Sequence, residues 1–88
     1  MGAKVYVLID AAEGETYKVV TMLLGKPGVV SVDSLEGPPD VVMVAEADNA
    51  RKLVEFTVQA MASVEHLIDG AECLPVLSED LCPVTCAS

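Results

Sequence analysis

Val5-Tyr6-Val7-Leu8-Ile9 and Val41-Val42-Met43-Val44-Ala45 decide the fold. Each is a short run of β-branched and apolar residues, and each gives way to an acidic residue followed by alanine, Asp10-Ala11 and Glu46-Ala47. Runs of this length and composition are strands. Successive side chains alternate between the two faces of a strand, so Val5, Val7 and Ile9 share one face while Tyr6 and Leu8 share the other. In the second run Val41, Met43 and Ala45 oppose Val42 and Val44 in the same way. A strand wetted on one side alternates apolar with polar residues, and neither run does so. Both faces of both strands are therefore expected to be covered.

Each run leads into a helix. After the first, Glu13-Gly14-Glu15 opens a helical pattern in which Thr16, Val20, Leu23 and Leu24 fall at helical spacing to about residue 25. Gly25-Lys26-Pro27-Gly28 then supplies a C-cap and a breaker. Val29 to Leu35 alternates Val30, Val32 and Ser34 against Ser31, Asp33 and Leu35, the period of a half-buried strand. After the third strand, Asp48 is the expected N-cap of a second helix carrying Ala50, Leu53, Val54, Thr57, Ala60, Met61 and Val64 at helical spacing. Glu65 to Cys73 or Leu74 reads as a weaker fourth strand, with Asp69-Gly70 placing a bulge in it. The chain leaves the sheet near Pro75. One domain over residues 1–76 and an acidic, cysteine-containing tail over residues 77–88 are expected.

Two βαβ halves with right-handed crossovers make the α+β ferredoxin-like βαββαβ sandwich, a four-stranded antiparallel sheet with both helices on one face. That topology places the first and third strands centrally. The helices cover one sheet face and leave the other as an apolar patch, which a monomer rarely exposes. A second copy is the simplest cover, in a dimeric α/β-barrel-like assembly with Tyr6, Leu8, Val42 and Val44 at the dimer interface, or their opposite set if the register is reversed. Ser78-Glu79-Asp80 makes the tail a poorer lid.

Composition narrows the partners. The chain has 88 residues, of which 52% are hydrophobic, and a domain of this size buries only about 60–65% of its unfolded surface. That is more apolar material than it can hide alone. Fourteen acidic against five basic residues give a net charge of −9, which repels a phosphate backbone, so direct nucleic-acid binding is not expected. Only Arg51 and Lys52 are adjacent bases, so no cationic amphipathic face for a membrane exists. Met1-Gly2-Ala3-Lys4 runs straight into the first strand, without the length of a signal-peptide core, and a cytoplasmic location is expected.

No catalytic residues, cofactor or metal are predicted. His66 has no nucleophile set beside it by any motif and reads as a solvated strand-end residue. Glu13 with Glu15, and Glu79 with Asp80, stand in turn or tail contexts that serve solubility. Cys73, Cys82 and Cys86 are read as free thiols in preference to a Cys82–Cys86 disulfide or a metal site, because paired C-x-x-C spacing is missing. The most specific local feature is Gly37-Pro38-Pro39-Asp40. Pro38 is held extended by the proline that follows, and Pro39 at the third turn position fits a cis bond, so a rigid loop is expected. In the predicted topology this loop shares one rim with Asp10 to Glu13 and Ser63 to His66, and Ala47 to Arg51 lie at the opposite end.

In order and spacing, Val5-Tyr6-Val7-Leu8-Ile9, Gly14, Leu24 with Pro27-Gly28-Val29, and Gly37 and Asp40 in a G-x-x-D turn resemble the C-terminal effector domain of the Lrp/AsnC transcription regulators. The form resembled is the stand-alone one, without a helix-turn-helix, over about residues 3 to 74. The resemblance implies a homo-oligomer, a dimer or a larger ring such as an octamer, that binds an amino-acid effector near Gly37, Pro38, Pro39 and Asp40. It also implies regulation through other proteins, with full-length Lrp/AsnC regulators as candidate partners. The sequence departs from the family pattern at Pro39, where an aromatic is common, and at Ser63-Val64, where Pro-Gly is usual. A small dimeric α/β-barrel enzyme and a structural adaptor are the alternative readings. An enzyme would call for a polar group aimed into an apolar pocket, for which Tyr6 and Tyr17 are the best candidates.

Overall fold

A computed structural model describes residues 2–76. The elements follow in the order β1 (Ala3–Ala11), α1 (Thr16–Leu24), β2 (Val29–Ser34), β3 (Val41–Ala47), α2 (Ala50–Val64), a 3₁₀ turn (Glu65–Leu67) and β4 (Ile68–Val76). The strands form one sheet in the order β2-β3-β1-β4, every neighbouring pair antiparallel. This is the expected ferredoxin-like α+β sandwich. The expected tail, with Ser78-Glu79-Asp80, Cys82 and Cys86, lies outside the described residues.

The core forms where the helices meet the central strands. Val5, Val7, Ile9 and Ala11 of β1 and Val41, Met43 and Ala45 of β3 are buried beneath Val19 and Leu23 of α1 and Leu53, Ala60 and Val64 of α2. Burying a side chain of this size contributes about 1.5–3 kcal/mol, so this single layer carries most of the stabilising area. No polar side chain is buried among the described residues. None of the described helices is long and apolar enough to cross a membrane.

Local signals were read correctly in type and displaced in detail. The side chain of Asn49, not Asp48, caps α2: its Oδ1 accepts the Lys52 N–H at 2.9 Å. The helix starts at Ala50, and the cap must stand three residues before the donor it satisfies. Gly25 follows α1 with φ −94°, whereas the left-handed position falls at Gly28, φ +81°. A Cβ there would sit 2.9 Å from Cγ of Phe56, so both backbone and packing require glycine.

Val19 takes the core place expected of Val20, and Leu24 and Val54 point outward, Val54 being 60% exposed. The register of β2 against β3 shifts between Val29 and Ser31, which puts Val30 out of the alternation and leaves Val32 as the buried residue of that strand. The fourth strand starts three residues later than expected. Leu67 turns into the core, and its carbonyl accepts the Ala12 N–H at 2.8 Å, which holds Glu65–Leu67 as a turn. The irregularity expected at Asp69-Gly70 is present, since the β1–β4 register slips between Asp10 and Ala11, opposite Gly70 and Ile68. Pro75, near which the chain is expected to leave the sheet, pairs with Val5 in β4, an edge strand where proline is tolerated.

Candidate functional site

The register defines what the uncovered sheet face presents. Residues opposite one another share a face, so Val44 of β3, Tyr6 of β1 and Leu74 of β4 form one row, and Val42, Leu8 and Glu72 form the next. Tyr6, Leu8, Val42 and Val44 thus all lie on the face away from the helices. Beyond Tyr6 the row Glu46, Lys4 and Val76 closes the patch, with Lys4 Nζ 3.6 Å from Glu46 Oε2 and 5.7 Å above the Tyr6 ring.

Tyr6, Leu74 and Val76 remain about 40% exposed (39%, 42% and 41%), a large apolar surface for a chain of 88 residues. The residue pattern alone does not place Leu74 and Val76 on this face, because it ends β4 near Leu74, whereas the strand pairs with β1 as far as Val76. The signal was their apolar character in a strand that had to pair with β1.

At the other end of the same face lies a shallow concavity of about 370 Å³ lined by Leu8, Asp10, Pro38, Pro39, Ala71 and Glu72. It exists because the loop after β2 is folded over the sheet. Gly37 takes φ +76°, the Pro38–Pro39 peptide is cis, and the chain re-enters the sheet at Asp40. There the Asp40 N–H donates to the Ile9 carbonyl at 2.9 Å and the Leu35 N–H donates to the Asp40 carbonyl at 2.6 Å.

The structure divides the four predicted effector residues. Pro38 and Pro39 line the concavity, while Gly37 and Asp40 do not, and act on it by shaping the loop through its backbone. The residues that accompany the prolines are Leu8 and Asp10 from β1 and Ala71 and Glu72 from β4, with Ala71 opposite Ile9 and so turned to the helix side of the sheet. Asp10 was legible as a rim neighbour of the loop; Ala71 and Glu72 were not, because only the β1–β4 register brings them there. Across this floor Gly70 faces Asp10, and a Cβ at Gly70 would come within 3.8 Å of Asp10 Oδ2.

The remaining candidates are dispersed. His66 is exposed in the 3₁₀ turn rather than at a strand end, Tyr17 is 82% exposed on α1, and Cys73 is exposed on β4. No three His, Cys, Asp or Glu side chains among the described residues are grouped to hold a metal ion.

The fold defines a class of protein, the ferredoxin-like domains whose sheet carries an uncovered apolar face. Within that class its fold is similar to that of solved Lrp/AsnC-type regulators and of small proteins of the same shape. A hypothetical protein from Pyrococcus horikoshii is 20% identical with a TM-score of 0.77, the match covering 90% of this chain and 94% of that one. E. coli AsnC is 13% identical, TM-score 0.74, over 88% of this chain and 52% of that one. A transcriptional regulator from Neisseria meningitidis, solved as a complex with L-methionine, is 16% identical, TM-score 0.67, over 88% and 51%. The chain therefore spans about half the length of these regulators and nearly all of the Pyrococcus protein. At such identities the shared property is the fold. No protein-family model and no curated protein matches the sequence.

Proposed function

We propose that this chain is a homo-oligomeric effector-binding regulatory module, which pairs through its uncovered sheet face and takes a small effector in the concavity beneath the Gly37–Asp40 loop. The observation that carries the reading is the continuous apolar row Val44, Tyr6 and Leu74, with Val42 and Leu8 beside it, on the face opposite α1 and α2, which no described helix covers. Pairing two such faces buries the excess apolar surface. Because Leu8 belongs both to the row and to the concavity, a partner on the sheet would stand over the mouth of the site and connect occupancy to assembly.

The fold shared with AsnC and with a regulator solved in complex with L-methionine supports an effector-binding rather than a catalytic role. The net charge of −9 supports regulation through protein partners, other copies or full-length Lrp/AsnC-type regulators, rather than at nucleic acid. Two measurements test the reading together. Sedimentation is expected to show a dimer or larger ring, and a monomer at high concentration would overturn assembly. A thermal-shift screen of amino acids and related amines is expected to find a stabilising ligand, since one at a hundred times its dissociation constant adds about 2.7 kcal/mol. An oligomer that no small molecule stabilises would favour the structural adaptor.

A further inference from the structure

The chemistry of the concavity narrows the class of effector, and the inference rests on the reading of that concavity as the effector site. We propose that it takes a small organic cation, an amine or diamine on an apolar body and without a carboxylate, in place of a free amino acid.

The side chains of the lining offer a cation two acceptors and an anion no donor. Asp10 and Glu72 stand on adjacent strands, diagonal to one another across the Leu8–Glu72 pair, which in an antiparallel ladder puts their Cβ atoms about 7 Å apart. An ammonium between them reaches both. The ion pairs among the described residues are Lys4 with Glu46 and Lys18 with Glu15, so neither lining carboxylate has a cationic neighbour of its own. Gly70 leaves the space beside Asp10 Oδ2 open.

The donors that a ligand carboxylate needs are missing where the loop would have to supply them. Pro38 and Pro39 have no N–H, and the Asp40 N–H is already given to Ile9. No Lys or Arg lines the site. A carboxylate placed there would face Asp10 and Glu72 without a compensating hydrogen bond, which is costly for a charged group leaving water. Leu8, Pro38 and Pro39 supply an apolar wall for the body of the ligand.

The charge of the whole domain points the same way. Asp10, Glu13, Asp33, Glu36, Asp40 and Asp69 stand at the end that carries the concavity, where Lys18 is the one Lys or Arg of the described residues and is paired with Glu15; Lys4, Lys26, Arg51 and Lys52 lie at the other end together with Glu46 and Asp48. A concave surface among mostly acidic groups concentrates cations.

Matched probes test this: 2-phenylethylamine against phenylalanine, and 1,5-diaminopentane against lysine, each titrated calorimetrically into the full chain. At least one amine is expected to bind tenfold or more tightly than its amino-acid counterpart. Asp10→Asn and Glu72→Gln are each expected to weaken that binding tenfold or more, whereas Asp40→Asn, which keeps the loop's backbone bonds, changes it less than threefold. Circular dichroism confirms that each variant is folded. Amino acids binding better than their amines would overturn the proposal and leave the effector reading standing, as would amine binding indifferent to Asp10 and Glu72. Binding of neither set would overturn the effector reading itself, and this inference with it.

Discussion

The backbone N–H of Asp40 donates to the carbonyl of Ile9 at 2.9 Å, and this one bond ties the Gly37–Asp40 loop to the central strand whose next residue, Asp10, lines the concavity. The role of Asp40 is thus carried by its main chain. Its side chain does not line the concavity.

Replacing the side chain and removing the N–H should therefore have different consequences. Asp40→Ala is expected to change stability by no more than about 0.5 kcal/mol, as at other positions away from the core. Asp40→Pro deletes the donor, leaves the Ile9 carbonyl unpaired and is expected to cost about 1–3 kcal/mol. Urea unfolding of the two variants separates them.

Val44 stands opposite Tyr6 in the middle of the uncovered face. Val44→Lys is expected to weaken self-association by a hundredfold or more, since it drives a charge into the centre of the paired surface. The helix content should be unchanged, because Val44 points away from the core. Sedimentation velocity across a concentration series checks the first point and circular dichroism the second.

Gly28 and Phe56 should behave as a coupled pair. Gly28→Ala places a side chain at φ +81° and against the Phe56 ring, and is expected to destabilise by about 2 kcal/mol or more. In a Phe56→Ala background the clash is gone, and the same change should cost only the backbone part, about 1–2 kcal/mol. Equal costs in the two backgrounds, measured by chemical denaturation, would show that the ring plays no part.

The start of α2 offers a comparison of neighbouring residues. Asn49→Ala removes the side chain that accepts the Lys52 N–H and is expected to cost about 1 kcal/mol, against about 0.5 kcal/mol or less for Asp48→Ala. Thermal unfolding of the two variants resolves the difference.

The fold was legible because its two central strands carry the pattern themselves. Val5 to Ile9 and Val41 to Ala45 are apolar on both faces, a property of residue order that survives any error in the flanking elements. Errors gathered where one local signal competes with another. Asp48 and Asn49 are both good caps, and only the start of the helix chooses between them. Glu65 to Leu67 resembles the start of a strand until Leu67 finds the core and its carbonyl finds Ala12.

By itself the sequence determined the strand and helix types, the pairing of two βαβ halves, the place of the proline loop, the negative charge and the existence of a second apolar sheet face. All of these are periodic or compositional, so they are written in residue order. Only the tertiary structure decided that Leu74 and Val76 join that face, that Glu72 stands diagonal to Asp10, and that the Asp40 N–H ties its loop to Ile9. The first two depend on the register of β4 against β1. That register is set by a slip at Asp10 and a three-residue turn, and a shift of one residue would send every side chain of the strand to the other face.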